Sequence, residues 1–214
     1  MKPMASDQAN LKLCRSSEST DTALFPRHLT ELRESGLSDQ TIRMAGIYSG
    51  TYSEATRILG FNPRADGLFF PYPGTDFVRF KPDIPFIGKD GRPAKYLTKT
   101  NGGNRLYVPP FYADQLLEDS QIPLIITEGE KKSLKGAQDL RGFVVIGLAG
   151  VWCFKTKEKG LLEDFCKFSW KDRDVYVCYD SDVVKKPEVK IAENKLAGRL
   201  DLLGANVYIC RFPT

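Results

Sequence analysis

The sequence has a single histidine and five cysteines, and none of its apolar runs approaches the roughly 18 residues needed to cross a bilayer. An integral membrane protein is therefore excluded. A His-based metal site or a Ser/His/Asp triad needs an imidazole set beside other chemical groups, and His28 sits instead in an amphipathic helical pattern, where it reads as a helix-face residue. The cysteines, Cys14, Cys153, Cys166, Cys178 and Cys210, are odd in number and form no Cys-x-x-Cys pair, so they read as buried thiols rather than a disulfide framework or zinc site. Residues 1–18 contain no continuous apolar stretch that could form the core of a signal peptide, which makes the cytoplasm the expected compartment. The formal net charge of +4 is too small to mark a nucleic-acid-binding protein by itself.

What is present is enough for a folded chain. With 214 residues, 42% hydrophobic and 11% aromatic, it can bury one sizeable core or two small ones. Four regions are predicted: a flexible leader over residues 1–24, a helical subdomain over 25–64, a basic β-rich subdomain over 65–115, and an α/β domain over 120–214. In the helical region, Pro26 opens a pattern carrying Leu29 and Leu32 that Gly36 can end. Ser38 has the position of an N-cap between Leu37 and Ile42, and Thr51 and Glu54 have capping-box spacing before Gly60. No helix offers the row of Arg, Asn or Gln that reads base edges, so these helices are expected to serve packing.

From Leu68 to Val108, aromatic and β-branched runs are broken by turn signals at Pro73-Gly74, Asp90-Gly91 and Asn101-Gly102-Gly103. The period of two puts Val78 and Phe80 on one face of a strand and Arg79 and Lys81 on the other. Between Arg79 and Arg105 seven basic residues (Arg79, Lys81, Lys89, Arg92, Lys95, Lys99, Arg105) face two acids, a distribution that also occurs where cations merely solvate an outer sheet face. Interleaving with Tyr72, Phe77, Tyr96 and Tyr107 favours a surface that tracks the backbone of single-stranded nucleic acid, with rings to stack bases and cations to neutralise phosphates.

The last region alternates apolar strands (123–127, 143–146, 174–179, 206–210) with helices, one predicted within 158–168 and a long one from Pro187 whose buried stripe is Leu196, Leu200 and Leu203. A mainly parallel sheet follows, with functional groups at the carboxyl ends of its strands. Glu128 directly follows the first strand, and Asp180 and Asp182 follow the third. Two carboxylates at i and i+2 of an extended segment share one small volume and repel. A hard divalent cation, Mg²⁺ or Mn²⁺, relieves that repulsion and takes phosphate oxygens as further ligands. Gly129, Gly147 and Gly150 stand where a side chain would obstruct the same site.

These residues carry a resemblance. A strand ending Glu128-Gly129, a strand ending at Gly147 and a strand ending Asp180-x-Asp182 resemble the Toprim domain of bacterial primases, topoisomerases and some nucleases. Upstream, Leu68-Phe69-Phe70-Pro71, Phe77-Val78-Arg79-Phe80, Lys95-Tyr96-Leu97 and Arg105-Leu106-Tyr107 resemble the small sheet that precedes Toprim in bacterial DNA primases. The chain is most similar to a Toprim-like family of unknown function from plasmid, phage and mobile-element replication proteins, with the likeness running from about His28 to Pro213.

The resemblance implies a Toprim-like Rossmannoid, mainly parallel sheet preceded by a small helical and antiparallel β subdomain. It implies Glu128 as metal-linked acid or base, Asp180 and Asp182 as the metal pair, and Arg79, Lys81, Lys95 and Arg105 as the groove for template and nucleotide, joined by Tyr96 and Lys99 of the same basic aromatic stretch. The activity implied is Mg²⁺- or Mn²⁺-dependent nucleotidyl transfer on single-stranded DNA, with nucleotides as substrates and a replicative helicase as partner. A nucleic-acid-binding or helicase-recruiting module that has lost catalysis, and a Toprim nuclease, are the alternatives. Primases of this kind carry an acid four positions after the glutamate, where this chain has Lys132 beside Lys131; these lysines either contact phosphate or neutralise the site. A further acidic motif of the family falls beyond the position of Thr214, so a fragment or minimal form is expected.

Overall fold

The computed structural model describes residues 24–88, 91–158, 160–180 and 186–211. The predicted leader falls outside them but for Leu24, and so do Cys14, Lys89 and Asp182. Three short helices come first: α1 (Pro26–Glu34), α2 (Asp39–Met44) and α3 (Tyr52–Leu59), with β1 (Tyr48–Gly50) between the last two. Their ends are set by the expected local chemistry. The Ser38 and Thr51 hydroxyls accept from the backbone N–H groups of Thr41 and Glu54, and Gly60 ends α3 in the left-handed region at φ 81°. His28 is buried rather than surface-facing, its Nδ1 2.7 Å from Ser49 Oγ and its Nε2 2.6 Å from Asp83 Oδ1, which ties α1 to the sheet.

Strands β2 (Gly67–Pro71), β3 (Val78–Pro82) and β6 (Leu97–Thr98) join β1 in an antiparallel sheet of order β1-β2-β3-β6, while β4 (Phe86–Ile87) and β5 (Pro93–Ala94) form a separate ribbon. Phe69 and Phe80 pack with Ala55, Leu59 and Leu97 on one side of this sheet, their ring centroids 4.6 Å apart. Burying each phenyl ring is worth roughly 1.5–3 kcal/mol. Leu68 and Phe70 face the other way, against Leu32, Ile42, Tyr107 and Leu134. Both faces are therefore covered. This corrects the expectation of an outward-facing Arg79: its side of the sheet packs against the second half of the chain, and Arg79 is buried.

The second half is a mixed five-stranded sheet of order β11-β10-β8-β9-β7, built from β7 (Leu106–Tyr107), β8 (Leu124–Glu128), β9 (Val144–Leu148), β10 (Asp174–Cys178) and β11 (Asn206–Ile209). Pairings among β8 to β11 are parallel, whereas β7, read from sequence with the upstream sheet, runs antiparallel along β9. Helices α4 (Asp114–Glu118), α5 (Glu130–Asp139) and α6 (Pro187–Asp201) complete the fold, and none of the described helices is long and apolar enough to cross a membrane. The core of this half lies between the sheet and α6 with Phe154, Phe165 and Trp170.

Three local expectations are corrected. The helix predicted within 158–168 is a 3₁₀ turn over Glu163–Lys167. Leu203 is exposed because α6 ends at Asp201 and the chain then turns through Gly204. Cys166 is exposed and Cys153, Cys178 and Cys210 are half-buried, Cys178 and Cys210 because they stand at strand ends rather than in the apolar layer.

Candidate functional site

The site is built around the first turn of α5. Strand β8 delivers Glu128 at its last position, and Gly129 then turns the chain at φ 87°, in the region that favours glycine, with its N–H donating to Leu148 O at 2.7 Å. A Cβ on Gly147 would lie 2.7 Å from Ser133 Oγ and 3.0 Å from Gly129 O. The glycine in β9 thus lets α5 sit close to the sheet.

Glu130, the first residue of α5, is buried at 1% exposure and points into the antiparallel sheet. Its Oε1 accepts from the Tyr72 hydroxyl at 2.6 Å and from the Arg79 guanidinium at 2.8 Å, while Oε2 has no hydrogen-bond partner among the described residues. The Arg79 guanidinium lies 4.5 Å from the centre of the Tyr96 ring, a cation–π contact. Burial works against the charge on Arg79, but Glu130 outweighs it and holds the guanidinium pKa above its ordinary value. Burial, with Glu130 nearby, pushes the Tyr72, Tyr96 and Tyr107 hydroxyls upward, so all three stay neutral.

Lys81, two residues along β3 from Arg79, donates to Glu31 Oε2 at 2.6 Å, and Lys131 donates to Glu31 Oε1 at 2.9 Å and Ser35 Oγ at 3.0 Å. Burial alone would raise the Glu31 carboxyl, but the two ammonium groups outweigh it and hold it below its ordinary value. Lys132, one residue on, forms an ion pair with Asp180, which follows β10. Lys95 is exposed, and no ion pair to it occurs among the described residues.

Arg79, Lys81, Lys95, Tyr96, Lys131 and Lys132 line one cleft of about 380 Å³ together with Glu128, Gly129, Ala149 and Asp180. Of the residues singled out from the sequence, this cleft gathers Glu128 and Asp180 and most of the basic set. Lys99 lines a different depression, with Arg57, Asp76 and Asn101. Arg105 lies at a third, where its guanidinium makes a two-pronged pair with Asp164 at 2.8 and 2.7 Å while Leu106 N–H donates to the same carboxylate at 2.9 Å. Asp182 lies outside the described residues.

Sequence reasoning missed Glu130, Glu31 and Asp164, the three carboxylates that fix these cations. Only Glu130 carried a signal: it stands one turn before Leu134, on the face of α5 that is buried.

Of the three predicted metal ligands, the described residues include Glu128 and Asp180 but not Asp182. Asp180 is engaged by the Lys132 ammonium, and the described residues contain no group of three or more His, Cys, Asp or Glu side chains that could hold a metal.

The fold is similar to that of primase catalytic domains. The zinc-binding and RNA polymerase domains of the Aquifex aeolicus primase match with a TM-score of 0.59 and 16% identity, covering 88% of this chain and 50% of that one. The DnaG catalytic core matches with a TM-score of 0.56 and 16% identity over 91% of this chain and 67% of that chain. A DnaG primase catalytic domain bound to single-stranded DNA matches with a TM-score of 0.54 and 17% identity over 86% and 65%. The chain thus spans half the length of the first and about two thirds of the others. Residues 112–214 match the family described as "Domain of unknown function (DUF3854)", and no curated protein sequence matches the chain.

Proposed function

We propose that the protein is a primase-like, Toprim-type binder of single-stranded DNA that acts in replication in the cytoplasm. The observation that carries this reading is the single cleft in which five cations, Arg79, Lys81, Lys95, Lys131 and Lys132, and the Tyr96 ring meet the carboxyl ends of β8 and β10. Several cations lining one cleft suit the phosphates of a strand, and the aromatic ring suits an unstacked base. The fold similarity to a primase catalytic domain bound to single-stranded DNA supports the same reading. Two of the lining residues, Glu128 and Asp180, are acidic, and Glu31 and Glu130 stand behind the cations, so the net positive field is modest. Binding should therefore be salt-sensitive and of moderate strength.

A second reading, metal-dependent nucleotidyl transfer, is favoured by Glu128 and Asp180 lining the same cleft. It requires Lys132 to leave Asp180, which is why binding is placed first. In either case a replicative helicase, in the same polypeptide or as a partner, and a plasmid, phage or mobile-element setting accord with the sequence resemblance.

The test is retention of a labelled oligodeoxynucleotide, single-stranded against duplex, by wild type, Lys95→Ala and Tyr96→Ala. Preferential retention of the single strand, weakened in both variants, is expected, and equal affinity in all three proteins would refute the assignment of the cleft. Added ribo- and deoxyribonucleotides with Mg²⁺ or Mn²⁺ address the second reading. Primers made by wild type and lost in Asp180→Asn would support transfer, and a shortened template would support hydrolysis instead.

A further inference from the structure

A cleft that brings two carboxylates to neighbouring strand ends needs positive charge between or beside them, and this chain supplies it covalently. Strands β8 and β10 are parallel neighbours in register from Leu124 and Val175 to Thr127 and Cys178, so Glu128 and Asp180 emerge on the same edge of the sheet. Helix α5 springs from β8 after one glycine, which places the third residue of its first turn, Lys132, over the end of β10. There its ammonium contacts Asp180 Oδ1 directly. Both side chains are 48% exposed, so the pair faces the open cleft and is not sealed in the protein.

Resting on the single-stranded DNA reading above, we infer that Lys132 serves as the chain's built-in cation at Asp180, so that the cleft takes phosphate-bearing strands without a divalent metal. An ammonium has three N–H donors, and Asp180 uses one of them; the rest are available to phosphate oxygens. The surroundings point the same way. A divalent ion at Asp180 would have to displace Lys132 and sit beside Lys131, Lys95, Lys81 and Arg79, all lining the same space. Hard cations select sites rich in oxygen donors and negative charge, and the described part of this cleft is instead dominated by cations. Removing the lysine should uncover a latent oxygen site, since the Asp180 carboxylate would lose its ammonium partner in a cleft that Glu128 also lines.

Two independent measurements on the full chain test this. In the first, Mn²⁺ is titrated into wild type, Lys132→Gln and Lys132→Gln/Asp180→Asn, with bound ion read by electron paramagnetic resonance and folding checked by circular dichroism. Wild type should bind only weakly, Lys132→Gln should gain affinity by about tenfold or more, and the double variant should lose that gain. A tight site in wild type, or no gain in Lys132→Gln, would overturn the inference. In the second, retention of single-stranded DNA by wild type is compared in chelator and in millimolar Mg²⁺ at matched ionic strength. Equal retention is expected, and retention that requires Mg²⁺ would overturn the inference. Failure to retain DNA in either buffer would refute the binding reading, while the Mn²⁺ titration would still decide the role of Lys132.

Discussion

Glu130 Oε1 accepts a 2.8 Å hydrogen bond from the Arg79 guanidinium, joining the first turn of α5 to the middle of β3. Fifty-one residues separate the two in sequence, yet this pair sets the wall of the cleft: it aims Arg79 and, through the Tyr96 contact, holds the aromatic surface beside it.

Because both partners are buried, Glu130→Ala leaves an uncompensated guanidinium in the interior. A loss of about 3–5 kcal/mol is expected in urea denaturation, with Glu130→Gln losing less because the amide oxygen can still accept from Tyr72. A loss below about 1 kcal/mol in Glu130→Ala would mean that the pair does not hold α5 to the antiparallel sheet.

The Tyr107 hydroxyl is buried without a hydrogen-bond partner among the described residues. Tyr107→Phe removes a polar group that gains nothing from burial, so thermal denaturation should show unchanged stability or a gain of about 1 kcal/mol. A clear loss would reveal a bonded hydroxyl.

Asp164 should make stability depend on acid. Burial raises its pKa, but Arg105 and the Leu106 N–H outweigh that and hold it below its ordinary value of 3.8. A folded-state pKa lower than the unfolded one contributes stability that is present above about pH 4 and is lost as the pH falls through the folded value. The difference in unfolding free energy between wild type and Asp164→Asn should therefore be constant from neutral pH to about 5 and shrink below 4. A difference that does not change with pH would contradict the assigned pair. Arg105→Ala should cost about 1–3 kcal/mol by leaving the buried carboxylate only the Leu106 N–H and the more distant Lys167, an effect on stability rather than on DNA.

The local parts of this architecture were legible from sequence, and the long-range parts were not. Ser38, Thr51, Gly60 and Pro187 mark helix ends because capping and φ preferences act over three or four residues, and the structure bears each of them out. Glu128 and Asp180 were placed at strand ends by the apolar runs before them, and the sheet register brings them to one edge. For Arg79 the period of two says which face the residue takes, not what covers that face; the cover is α5, which begins more than fifty positions later. The resemblance puts Arg105, and the basic aromatic stretch puts Lys99, with the cleft cations, yet short strands and turns carry each to a different depression. The Lys132 and Asp180 contact depends on how α5 lies over β10, which no local pattern encodes.

The salt dependence of single-stranded DNA binding tests the central claim most directly, measured by fluorescence anisotropy of a labelled oligodeoxynucleotide in wild type, Lys95→Ala and Arg105→Ala. Affinity should fall steeply with salt, with a logarithmic slope of about −0.7 for each phosphate neutralised, and Lys95→Ala should flatten that slope by about 0.7. Arg105→Ala, whose guanidinium is spent on Asp164, should leave it unchanged. Binding that ignores salt, or a slope that responds to Arg105 and not to Lys95, would contradict the assignment of this cleft as the path of the strand.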